Sequence, residues 1–398
     1  MTDKGRKTAY VVALASVVAA VVGVAIGCDF RRDTPSTRLA GLGSSLHEIQ
    51  RGARAEGRLE LVAWPGYAAA PWVEPFARQT GCRVDVHEVA TPEAMFGALD
   101  TRAWDAVSVS GAEAGRLVAD RRVAPLDRTL LPNYAVLVKG VKGPSGPSLD
   151  GAPYDVPFGR APTLLFLRDD AFPEEEDSST VLWEQGRRLG RLVALPDDPL
   201  VIGDAAVYLK AARPDLRIDD PYELDEKQLE AAVRLLRGLD ATFVPGALGP
   251  GEQASLPGSA ETAVGLATPS AVDALARSGV AARAVKPVEG TTGRIDEWMV
   301  SRKAEHPNCA YLWLDYVASP GVQAAAAESL GLAPVNPAAC ELTRDPNYCE
   351  EHHATDDAWW DDVYFRTTPL EDCGDARGAA CTNEEEWKTA WATLRQRR

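Results

Sequence analysis

From Leu59 onward the chain alternates between short apolar runs and longer segments with helical spacing. Leu59–Trp64 is apolar enough for a buried strand, Ala70–Thr80 has helical spacing, and Cys82–Val89 alternates like a strand. Thr91–Leu99 opens on Thr-Pro-Glu, a helix-start signal; Asp105–Val109 reads as a buried strand and Ala112–Ala119 as a helix. This strand–helix order, three times over, predicts a parallel sheet with helices on both faces. The alternation resumes after Pro157. Strands are expected at Thr163–Arg168, Leu192–Leu195, Val264–Ala267, Gly279–Val285 and Asp296–Ser301. Helices are expected at Asp204–Ala212, Asp225–Leu239, Pro269–Arg277, Cys309–Ala318 and Pro320–Leu330. From Ala339 the chain is loop-rich, carries a Trp359-Trp360 pair suited to core packing, and ends in a helix at Asn383–Leu394.

The N-terminus has a different pattern. Lys4, Arg6 and Lys7 precede an uncharged apolar run from Thr8 to Gly27, which stops at Cys28. A basic segment followed by an apolar one is the signature of export. The cysteine after Ala25-Ile26-Gly27 resembles a bacterial lipobox, with Cys28 as the lipidated residue, although Ala25 stands where Leu is usual. The run is also long enough for an uncleaved membrane anchor. Either reading places the remaining chain outside the cytoplasm, periplasmic or at the cell surface, tethered to a membrane. Residues 29–56, rich in Arg, Ser, Gly and Thr, read as a tether with a short helix near Ser45–Arg54.

The 398 residues suffice for two lobes with sizeable cores. A net charge of −16 and a pI of about 4.9 disfavour a nucleic-acid partner. Seven cysteines are present; with Cys28 set aside, the even remainder suits disulfides in an oxidising compartment. Cys340/Cys349 and Cys373/Cys381 enclose short loops and are expected as local pairs. Cys82 and Cys309 are then a long-range pair or two buried thiols. A zinc site using His352 and His353 is the alternative, but no C-x-x-C pair supports it. The chain contains no G-x-S-x-G, H-E-x-x-H or G-x-x-x-x-G-K-[ST]. Neither an enzyme, a metal site nor a cofactor is expected.

An ordered series of segments resembles the bacterial solute-binding proteins of the spermidine/putrescine type. It begins with Leu59–Tyr67, which holds a Trp-x-x-Tyr motif, and continues through Phe76–Val84 and Trp104–Val107. Val123–Asp127, Leu131–Asn133, Val156–Gly159 and Leu195–Asp198 follow, then Asp296 with Trp298–Val300, and Gly331–Ala339. The resemblance implies an α/β, two-lobe periplasmic-binding-protein-like fold of type II, with hinge-crossing strands. The lobes are expected at residues 57–160 with 296–338, and at 161–295 with 339–398, the last stretch being a cysteine-containing extension.

The same resemblance implies a polyamine as ligand and an ABC permease and ATPase as partners of a monomeric binding component. A polyamine needs carboxylates for its ammonium groups and aromatic walls for its methylenes. By that resemblance Trp64 and Tyr67 are the aromatic wall, and Asp198 and Asp296 the carboxylates. The family's other box positions fall here at Ala112 or Glu113, Val201, Ala267, Arg294 and Leu332. Arg294 at the wall would repel an amine and attract an anion or zwitterion, and Ser110, followed by Gly111, can offer backbone N–H groups to an anion. Each residue also has a plainer use: Trp64 in strand-end packing, Asp198 as a helix cap, Asp296 in an ion pair with Arg294, Ser110 in a turn. An exported interaction or sensor protein with a degenerate pocket is the competing function.

Overall fold

Two sheets organise the chain. The computed structural model describes residues 39–141, 152–189, 193–239, 241–244, 262–373 and 380–396. The export segment and Cys28 lie outside those residues.

The first sheet is built on β1 (Arg58–Ala63), which pairs in parallel with β2 (Arg83–Glu88) and β3 (Ala106–Ser110). β3 is buried along its whole length and β1 over most of its own, which explains the apolar runs in the sequence. In the order of the chain, β4 (Asp155–Pro162) leaves this sheet and β5 (Leu164–Arg168) enters the second one. The second sheet adds β6 (Val193–Pro196), β7 (Thr242–Val244), β8 (Val264–Ala267) and β9 (Ala282–Val285), in the order β7-β6-β8-β5-β9. The chain then returns through β10 (Thr291–Val300), antiparallel to both β3 and β4, and the short β11 (Val363–Phe365) joins the edge of β10. The expected two-lobe α/β architecture is therefore present, each sheet carrying its own apolar core.

Two crossings between the lobes are described throughout, β4 into β5 and β9 into β10; the chain passes a third time between β11 and the closing helix Glu384–Gln396. The first two are stitched together where they cross. Thr163 N donates to Thr292 O at 2.7 Å, and the Thr291 hydroxyl donates to Thr163 O. Gly293 is needed there: a Cβ would sit 2.8 Å from Val363 Cγ1 and 2.9 Å from Ala161 O. Val363 of β11 and Ala161 of β4 crowd that position and leave no room for a side chain.

The structure redraws two boundaries. Helix Leu46–Glu56 is part of the first lobe rather than a free tether. Ser45 caps it, Gly57 ends it at φ +64°, and Ile49 and Ala53 are buried. Its Glu56 carboxylate accepts from the backbone N–H groups of Asn308 and Cys309, at 3.1 and 2.8 Å. An amphipathic 11-residue helix is marginal alone and is held by this tertiary packing. Likewise, residues 291–295 and 339–366 belong with the first sheet. The Arg160 guanidinium of β4 lies 4.0 Å over the Trp360 ring and donates to Ala354 O at 3.1 Å. The closing helix joins the second lobe through buried Trp387, Trp391 and Leu394, and the Thr382 hydroxyl before it donates to Leu224 O at 2.8 Å.

All three cysteine pairs occur as disulfides: Cys82–Cys309, Cys340–Cys349 and Cys373–Cys381. The long-range pair joins the start of β2 to helix Pro307–Val317, directly beside Glu56.

Candidate functional site

A cavity of about 750 Å³ opens between the lobes. Strand ends and helix starts meet there. The first lobe contributes Trp64 just past β1, Ser110 at the end of β3, and Glu113 and Arg116 from helix Gly111–Ala119. The second contributes Asp197 and Asp198 just past β6. Ligand sites lie outside the carboxyl ends of strands for the same topological reason.

Trp64, Ser110, Asp198 and Arg294 line this cavity. Tyr67 and Asp296 do not. Both are wholly buried, and the Tyr67 hydroxyl donates to Asp296 Oδ2. Arg294 Nε donates to both oxygens of Asp296, at 3.1 and 3.2 Å. Burial raises the Asp296 carboxyl above the usual range, while Arg294 and the Tyr67 hydroxyl pull it back down. Burial, reinforced by Asp296, likewise holds the Tyr67 phenol well above its usual value. An acid with its lone pairs occupied by two protein donors has little to give a ligand. The assignment of Tyr67 and Asp296 as ligand contacts is thus corrected: they form a support under Arg294. Spacing hid this, because residues 294 and 296 share one face of β10 and pair with each other.

Ser110 also spends its polar atoms within the protein. Its backbone N–H and hydroxyl both donate to Glu113 Oε2, closing a reciprocal cap on helix Gly111–Ala119. The anion seat expected at Ser110 is therefore filled by Glu113. Desolvation by the cavity wall pushes Glu113 up to about 7, against the Ser110 hydrogen bonds; the Asp198 charge adds to the rise.

Asp198 combines its two readings. Its Oδ1 accepts from Leu200 N at 2.8 Å at the start of helix Val201–Ala212. The Asp198 side chain stays 40% exposed and lines the cavity. Its Oδ2 lies 3.6 Å from the Arg366 guanidinium. Arg366 also approaches Asp204, at 3.3 Å, and Asp204 accepts the Thr292 hydroxyl at 2.6 Å. Burial raises the Asp204 carboxyl, and Arg366 opposes that rise.

Several cavity residues carried no usable sequence signal. Arg366, Thr368 and Pro369 come from the chain after β11; Glu384, Trp387 and Lys388 come from the closing helix. The Thr368 hydroxyl donates to Ala112 O, holding this segment across the cavity. Asp197, the neighbour of Asp198, could have been named from the sequence. The tail residues could not, since only the third crossing brings them here. Leu332, which replaces a family tyrosine, is buried and absent from the lining.

The fold and this interlobe cleft define a two-lobe binding protein. The chain belongs to the family of bacterial extracellular solute-binding proteins, whose profile matches residues 71–355. Its structure is similar to that of the spermidine/putrescine ABC transporter substrate-binding protein PotD of Streptococcus pneumoniae. The TM-score is 0.65 at 16% identity, over 85% of this chain and 98% of that one. It is also similar to the Tp0655 (TpPotD) lipoprotein of Treponema pallidum, with TM-score 0.64, 17% identity and coverage of 85% and 99%. A third similar structure is the binding protein MotA of A. tumefaciens B6 in complex with glucopine, with TM-score 0.61, 15% identity and coverage of 84% and 99%. At such identities the likeness carries the fold alone.

Proposed function

We propose that this chain is the solute-binding component of an ABC importer, exported and held at the membrane by its N-terminal segment, with Cys28 as the lipidation site. It captures a small amine-bearing solute in the interlobe cleft and presents it to a permease powered by an ATPase. The observation that carries this reading is the open cavity of about 750 Å³, where Asp197, Asp198 and Glu113 gather beside Trp64. An ammonium group finds charge-assisted acceptors there, and the indole supplies an apolar wall. A polyamine satisfies those needs at one end, and a similar structure is that of a spermidine/putrescine-binding protein. The amine seat, however, is at Asp197 and Asp198 and not at Asp296. Mechanistically, a ligand touching both lobes favours the closed arrangement by its greater affinity for it.

The open cavity, which Leu332 does not enter, supports solute capture over an interaction protein with a filled pocket. Thermal-shift and calorimetric titration of the full chain with small amines tests the reading. Binding that weakens about tenfold or more in Asp198→Asn is the expected result. A cleft that takes no amine at millimolar concentration would overturn it.

A further inference from the structure

The polar atoms of this cavity wall are not evenly satisfied. Among the described residues, Trp64 Nε1 and Arg366 Nε are buried donors without a hydrogen-bond partner, and Asp197 Oδ1 is a buried acceptor without one. All three residues line the same cavity. Buried polar groups are nearly always paired, so an orphan at a binding cleft marks where a ligand atom or ordered water belongs. The two donors call for an acceptor. An ammonium group has none to offer, so a diamine or polyamine would leave both unpaired in a wall it has cleared of water.

We propose that the solute is an amino-acid-type zwitterion: its carboxylate sits on Arg366 and Trp64, its ammonium on Asp197 and Asp198. This rests on the reading of the cleft as an amine-binding solute site, and adds the second pole.

The local charges fit. Arg294 is already engaged by Asp296, through two contacts. Arg366 is less fully used. Its contacts with acids are 3.3 Å to Asp204 and a looser 3.6 Å to Asp198. A guanidinium has five N–H donors in a planar fork, so this one retains capacity for a carboxylate. Asp197 Oδ2 pairs with Arg395 at 2.9 Å, while its buried Oδ1 has no hydrogen-bond partner. The free protein thus holds an Arg366–Asp198 contact between its own cation and its own anion. A zwitterion replaces it with two complementary contacts. Arg366 also lies beyond the matched residues 71–355, so the C-terminal segment adds a cationic pole to the box positions Trp64 and Asp198.

The test compares matched pairs on the full chain by calorimetry. Diamines are set against ω-amino acids of the same length, and α-amino acids against their amides. The expected result is binding by one or more amino acids at least about tenfold tighter than by the matched diamine or amide, as loss of a charge-assisted hydrogen bond implies. Trp64→Phe keeps the ring and removes the N–H; Arg366→Lys keeps the charge for Asp204 and removes the fork. Each should cost the amino acid about tenfold or more in affinity. Diamines binding as tightly as their matched amino acids would overturn the zwitterion and leave the amine-binding reading standing. Simple carboxylates binding as tightly as amino acids, or no binding by any member, would overturn the amine-binding reading and the zwitterion with it.

Discussion

The guanidinium of Arg366, just past the edge strand of the first sheet, lies 3.6 Å from the carboxylate of Asp198, just past a strand of the second. This ion pair crosses the cleft where a ligand would sit. Its two members arrive from segments 168 residues apart in number, through separate crossings.

Asp296 is expected to act on stability. Asp296→Asn leaves Arg294 buried at 8% exposure without its counter-charge. Breaking a buried pair in this way costs about 3–5 kcal/mol. Urea unfolding should show that loss, whereas the affinity of the surviving folded protein should change far less than in Asp198→Asn. Equal affinity losses in the two variants would return Asp296 to the ligand site.

Glu113 makes binding depend on pH. Its folded-state pKa is raised from 4.5 to about 7, so the protonated form is favoured in the cavity wall. Its contribution to folding stability is present in full below 4.5 and is lost as pH rises through about 7. An ammonium ligand nearby favours the ionised form, so binding releases a proton. Affinity for an amine-bearing solute should therefore climb as pH rises through about 7 and then level off. Titrations across that window should show the climb, and Glu113→Gln should flatten it.

The disulfides should differ in worth. Cys82–Cys309 closes a span of 227 residues and Cys373–Cys381 one of 8. Chain entropy alone assigns about 5 kcal/mol to the long closure and about 2.5 kcal/mol to the short one. Paired Cys→Ser variants, melted side by side, should rank in that order.

The closing helix should matter to both stability and affinity. Trp391 packs edge-on against Phe243 at 4.7 Å, inside the second core. Trp391→Ala should cost about 3–5 kcal/mol as a large-to-small core change. It should also weaken ligand binding, because Glu384, Trp387 and Lys388 of the same helix form one wall of the cavity. A destabilised variant with unchanged affinity would separate that helix from the site.

Local pattern determined the elements. The helices Ala70–Thr80, Pro269–Arg277 and Pro320–Leu330 and the strand Val264–Ala267 have the limits that periodicity, Pro and Gly signals predict. Hydrophobic period and capping act within a few residues, so they are written in the chain itself. The two-lobe arrangement was legible from the order of those elements and the resemblance they carry. The three-residue β11 and the docking of helix Leu46–Glu56 were not legible, because neither is stable without partners far along the chain. The site divides in the same way. Trp64, Asp198 and Arg294 were named through the resemblance, and Ser110 from its place at the end of an expected strand. Which acids reach the cavity was decided only by tertiary structure: Asp296 is buried against Arg294 and Tyr67, while Asp197 and Asp198 line the cavity. Arg366 reaches them from a loop-rich tail because β11 pairs with β10. Hydrogen-bond partners and solvent exposure are set by what packs around a residue, and no local pattern encodes that.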